Sequence, residues 1–238
     1  MSARFSAYIL ATAILTPAFA QAQSGGSGFY GTFEVGPSII EDMNFAEATT
    51  ANLNIDPKAG IAVRGGLGYR LMEPLRIELS LGYSHNNLNG GFQQNVQVIV
   101  PCGTIAGQPC LNPNIDGNID SFSGFLTGYY DFPAIGALKP YAGIGVGFVT
   151  ADFDVGTAGL MNDGTRSRFA ILNESDTVVG YRGSLGAAYP LGPVDLTLAY
   201  TYTFTDRVNV AGRGTYVNFN FDKRVNAHTI NVGAVYRF

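Results

Sequence analysis

From Asp195 to Asp206 the chain reads DLTLAYTYTFTD. Leu196, Leu198, Tyr200, Tyr202 and Phe204 fall on one side of an extended backbone. Thr197, Thr201, Thr203 and Thr205 fall on the other. Side chains alternate with period two along a strand, so this stretch reads as a strand with one apolar and one polar face.

The same pattern recurs on both sides of it. FYGTFEVG at 29–36, KAGIAVRGGLGYR at 58–70, LRIELSLGYSH at 75–85, KPYAGIGVGFVT at 139–150, TVVGYRGSLGAAYP at 177–190 and HTINVGAVYRF at 228–238 all alternate. SFSGFLTGYYDF at 121–132 is ambiguous, because Phe125 and Tyr129 lie opposite Phe122, Leu126 and Tyr130. That makes eight predicted strands, most close to the roughly 9–11 residues that a tilted transmembrane strand needs. The connections alternate in length. Residues 71–74, 133–138 and 191–194 are short, whereas 41–57, 86–118, 153–176 and 207–224 are long. Within the long ones, NVQVIV (Asn95–Val100) and RFAIL (Arg168–Leu172) are candidates to extend strands beyond the membrane. Alternating short turns and long loops belong to an up-and-down barrel with its termini and short turns on the periplasmic side.

Composition points the same way. The chain is 46% hydrophobic and only 13% charged, with 31 Gly, 13 Tyr and 16 Phe among 238 residues. A soluble domain usually carries about 25% charge. No apolar run after the first residues approaches the ~18 of a membrane-spanning helix. Tyr69, Tyr83, Tyr130, Tyr189, Tyr236 and Phe238 sit near strand ends with the parity of the apolar face, where interfacial aromatics belong. The expected fold class is therefore all-β, an eight-stranded antiparallel up-and-down transmembrane β-barrel. A soluble lipocalin-like barrel is the rival, but it would need an apolar lumen.

The first residues read as an export signal: Arg4, an apolar run from Tyr8 to Leu15, and small residues at Ala18 and Ala20. Cleavage is expected after Ala20, with Ala22 as a second site. The expected organisation is residues 1–20 as a cleaved signal peptide, 21–28 as a short N-terminal segment and 29–238 as the barrel. An exported chain meets an oxidising compartment, so Cys102 and Cys110 in PCGTIAGQPC are expected to form a disulfide. The net charge of −4 argues against nucleic acid as a partner.

If the apolar face meets lipid, the other face lines a lumen just wide enough for side chains to fill. Glu34, Arg64, Glu78 and Arg182 then become buried charges that must be compensated. An ionic cluster with the two arginines interleaved between the two glutamates is expected. It serves as a plug or, alternatively, as a gate that opens by exchanging partners. Interior glycines could leave water-filled gaps between such groups. Catalysis would need a histidine constellation. His85 and His228 both carry lipid-facing parity, Asn87 and Ile230 stand two residues on where a serine would be sought, and Ser84 points away. No enzyme, metal site or cofactor is expected. The acidic residues of the first loop, Glu41, Asp42, Glu47 and Asp56, lack the ligand spacing of a calcium loop.

Tyr236-Arg237-Phe238, GYRL at Gly68–Leu71, LSLGYS at Leu79–Ser84 and YYDF at Tyr129–Phe132 together resemble small eight-stranded outer-membrane proteins. The types in question are the OmpA transmembrane domain, OmpX and the opacity-like surface antigens of the porin family. The resemblance implies a Gram-negative outer-membrane location and a role in membrane integrity or surface contact. It also implies that Tyr236 and Phe238 form a C-terminal signal read by the barrel-assembly machinery. Implied partners are outer-membrane lipids including lipopolysaccharide, and a host or surface ligand held by the loops. A narrow porin is the alternative function, and a lipid-modifying enzyme is disfavoured by the histidine surroundings.

Overall fold

A computed structural model describes residues 28–41, 43–45, 53–92, 115–160, 166–213 and 218–238. The expected cleavage point at Ala20 and the expected Cys102–Cys110 bridge lie outside the described residues. Among the described residues twelve strands are formed: β1 (Phe29–Ile40), β2 (Met43–Phe45), β3 (Leu53–Pro57), β4 (Gly60–Met72), β5 (Leu75–Phe92), β6 (Ile115–Asp131), β7 (Lys139–Leu160), β8 (Arg166–Leu191), β9 (Val194–Thr205), β10 (Arg207–Arg213), β11 (Asn218–Arg224) and β12 (Ala227–Arg237). Eight of them, β1, β4, β5, β6, β7, β8, β9 and β12, pair antiparallel in chain order, and β12 closes on β1. Closure leaves these strands no open edge.

The three short turns join β4 to β5, β6 to β7 and β8 to β9. Gly136 and Gly192 take φ of +64° and +68° in the second and third of them, a conformation open to glycine without a Cβ clash. At this end, called the turn end, Phe29, Tyr69, Tyr130, Tyr189, Tyr236 and Phe238 face outward.

At the opposite, hairpin end the strands outrun the apolar belt. β7 has 22 residues and β8 has 26, at least twice the roughly 9–11 that a bilayer crossing needs. β2 and β3 continue the β1–β4 hairpin, and β10 and β11 continue β9 and β12. Much of the chain expected as long loops is therefore paired strand, and RFAIL lies in the extension of β8. The physical reason is a change of polarity along each strand. On β7, Ile144, Val146 and Phe148 face outward in the belt, whereas further along Asp152 takes that side and Ala151, Phe153 and Val155 turn inward. On β5, Tyr83 is the last outward aromatic, and Leu88 beyond it is buried inside.

The result is an apolar core at the hairpin end of the barrel, made by Ile40, Leu88, Ile119, Ala151, Phe153, Val155, Val208 and Val225. Burying each large aliphatic or aromatic side chain there contributes about 1.5–3 kcal/mol. The β10–β11 hairpin is tied to this core by Val208 and to β8 by Asp176, which accepts hydrogen bonds from the Asn209 and Thr177 backbones, both at 2.8 Å.

Candidate functional site in the barrel interior and at its rim

The polar face of each strand lines the lumen in layers. Nearest the turn end, Arg76 lies among Tyr30, Tyr129 and Tyr141, with its guanidinium carbon 5.4, 4.3 and 4.9 Å from the three ring centres. Its Nε donates to Asp131 at 2.9 Å and its Nη1 to the Tyr30 hydroxyl at 3.2 Å. The ambiguity of residues 121–132 is thereby resolved. Tyr129 and Phe125 are interior rings held by cations, and Phe122, Leu126 and Tyr130 face out.

These interior rings fit because of glycine on the neighbouring strand. Tyr30 is registered against Gly68 and Tyr129 against Gly143. A Cβ at Gly68 would lie 2.0 Å from the Tyr30 ring, and one at Gly143 would lie 2.4 Å from the Tyr129 ring. Glycines expected to leave water-filled gaps are instead covered by aromatic rings at these positions.

The next layer holds the four charges singled out from sequence, all buried and facing inward. Arg64 Nη2 donates to Glu34 Oε2. Glu78 is 3.9 Å from Arg76, a partner that the sequence reading did not include, although Arg76 shares the parity of Glu78 on the same strand. Arg182 is not interleaved between the glutamates as an ion pair. Its Nη1 donates to Ser80 Oγ at 3.1 Å, and its guanidinium sits 3.8 Å from the centre of the Phe125 ring. The interleaved pairing gives way because Arg76 enters from below and takes up Glu78.

Two cavities flank this layer. One of about 240 Å³ opens at the turn end and is lined by Arg70, Arg76, Asp131, Lys139, Asp195 and Arg237, among others. A smaller one, about 80 Å³, lies beneath the apolar core and is lined by Arg64 and Arg182.

The two histidines lie at the outer margin of the belt and have carboxylate partners that no sequence spacing indicated. His85 Nδ1 is 2.7 Å from Asp120, which also accepts from Tyr83 at 2.5 Å. His228 lies between the Tyr200 hydroxyl, 2.6 Å from Nδ1, and Glu41, 3.1 Å from Nε2. Among the described residues neither ring bonds a serine. Donation from Asn226 leads the causes that hold the Glu41 carboxyl below its ordinary range, against the opposing effect of burial, and His228 and Tyr202 add to it. A depressed carboxylate stabilises the folded state above its unfolded pKa, and that contribution is lost as pH falls through the folded value. Glu41 is expected to titrate, by carboxyl-carbon NMR, below the ordinary glutamate range in the wild type and nearer to it in Asn226→Ala. Equal midpoints would refute the contact.

The Tyr236 and Phe238 rings meet edge to face at 5.2 Å on the exterior, and the Phe238 backbone donates to Phe29 across the barrel seam at 3.2 Å.

A family model described as an outer membrane protein beta-barrel domain matches residues 8–238. Uncharacterized proteins of Brucella abortus (strain 2308) and Brucella suis biovar 1 (strain 1330) are each 25% identical over 197 residues, covering 76% of this chain and 69% of theirs. Neisserial surface protein A superposes with a TM-score of 0.53 at 19% identity, covering 90% of this chain and 99% of that one. The outer membrane protein OprG from Pseudomonas aeruginosa gives 0.52 at 16% identity, with 90% and 98% covered. At such identities the likeness is one of fold.

Proposed function

Because the chain belongs to the outer membrane protein beta-barrel domain family, we propose that it is a structural and surface-interaction barrel that works through its hairpin end. One observation carries this reading. The strands continue well past the apolar belt as paired hairpins, polar outside and packed inside on their own apolar core. Such hairpins form a stiff platform standing off the membrane, suited to contact with lipids, host surfaces or other ligands. The hairpin end is then extracellular, and the termini and short turns lie in the periplasm. On this reading the exposed Arg207, Lys223 and Arg224 at the base of β10–β11 are the cations that pair with lipopolysaccharide phosphates. The exterior pair Tyr236 and Phe238 is offered to the barrel-assembly machinery.

The lumen serves this role as a plug. Arg76 caged by tyrosines blocks the lumen next to the turn-end cavity, the Glu34–Arg64 pair fills the middle, and the apolar core fills the outer mouth. A narrow small-solute channel is the second reading, favoured by the two cavities on either side of the charged layer. Single-channel recording of the refolded protein in a planar bilayer separates the two. No reproducible steps are expected from the wild type. Discrete openings whose size changes in Glu78→Ala would make the charged layer a conduction path and overturn the plugged reading.

A further inference from the structure

We propose that the 80 Å³ cavity beneath the apolar core is a binding site for one small inorganic anion of halide size, held by Arg182 with Arg64 and Ser38. The cavity is lined by two arginines, by hydroxyls that include Ser38, Ser123 and Thr201, by the amide of Asn231 and by the apolar Ile40, Val149 and Val225, and among the described residues no carboxylate lines it. Its electrostatic character is therefore set by donors and cations. Arg64 is matched by Glu34 and Arg76 by Asp131 and Glu78. Arg182 is only 6% exposed and makes no direct ion pair among the described residues, Glu34 and Glu78 acting on it from beyond contact distance.

Two further observations point to the same space. Arg182 Nε and Ser38 Oγ are both buried without a hydrogen-bond partner among the described residues, and both residues line this cavity. Buried donors are almost always satisfied, and a buried cation with no counter-charge in direct contact is costly. An anion meets both demands at once, accepting from the guanidinium and from the hydroxyl. Water would satisfy the donors but would bring no charge into contact with the guanidinium. The volume admits a few water-sized species, so a halide with one or two waters fits, whereas an organic anion such as gluconate does not. Ser80 and Phe125 support the site by holding the Arg182 guanidinium in place.

The test uses bromide as the probe on the whole refolded protein. Crystals soaked in sodium bromide are expected to show an anomalous peak in the lumen within contact of Arg182 and Ser38. The midpoint of heat unfolding, at one scan rate and one ionic strength, is expected to be roughly 3–6 °C higher in bromide than in gluconate, as for an ion at about ten times its dissociation constant. Arg182→Met should abolish that difference, and Ser38→Ala, which keeps the charge, should reduce it. Bromide peaks confined to the outer surface, an adventitious ion only, would overturn the proposal. So would a bromide–gluconate difference of the same size in Arg182→Met. The crystal result depends on wild-type protein alone, so the proposal stays testable if the arginine variant does not fold.

Discussion

Glu34→Ala lowers the stability of the barrel by about 3–5 kcal/mol, the range for removing one partner of a buried ion pair. The carboxylate and the Arg64 guanidinium are nearly inaccessible, with side-chain exposures of 10% and 9%. Deleting the carboxylate leaves Arg64 charged in a closed lumen, with Arg182 as a second cation lining the same cavity. The loss comes from stranding a charge more than from the attraction itself. The double variant Glu34→Ala with Arg64→Met should therefore recover most of it, because apolar replacement of a whole buried pair is often neutral. Urea unfolding in lipid vesicles supplies the four free energies of the cycle. If the two single losses simply add in the double variant, the residues are uncoupled and the pair has no part in holding the lumen.

The barrel was legible because lipid and lumen impose opposite demands on successive residues. At 195–206 those demands leave an almost unbroken alternation, and the same rule located all eight barrel strands. It also put Glu34, Arg64, Glu78 and Arg182 on the inner face. Their partners were harder to read, because pairing across a barrel depends on which side chains reach across the lumen, a property of closure and not of one strand. Arg76 carried the signal of parity, yet its role depends on three tyrosines from β1, β6 and β7 converging on it. Phe125 and Tyr129 broke the alternation for the same reason, as interior rings bound to guanidinium groups. The length of the hairpins was hidden by the polarity change. Leu88, Ile119 and Phe153 are apolar residues with interior parity, so a search for a lipid-facing stripe ends where the strands do not.

That polarity change makes the second large effect specific to depth. Leu79 sits in the middle of the outward belt on β5, between Leu75 and Tyr83, and is flanked in register by Leu67 and Leu126. All three leucines are more than half exposed, as lipid-facing side chains are when no bilayer is present. The eight steps from Leu75 to Tyr83, about 3.4 Å each and tilted by roughly 40°, rise about 21 Å, near the ~25 Å of an outer-membrane apolar band. Leu79→Arg is therefore expected to cost about 2–4 kcal/mol, the range for a cation at the bilayer midplane. Asn87 lies on the same strand with the same outward parity, eight residues further along and past the last outward aromatic, Tyr83. There the exterior is already polar, and Asn87→Arg should change stability by no more than about 0.5 kcal/mol. Urea unfolding of both variants in vesicles reads the contrast directly. Similar small effects at both positions would mean that the apolar face of β5 does not meet lipid, and the soluble-barrel reading would have to be taken up again. Similar large effects would place Asn87 inside the bilayer, and the paired hairpins could not be a platform standing outside it.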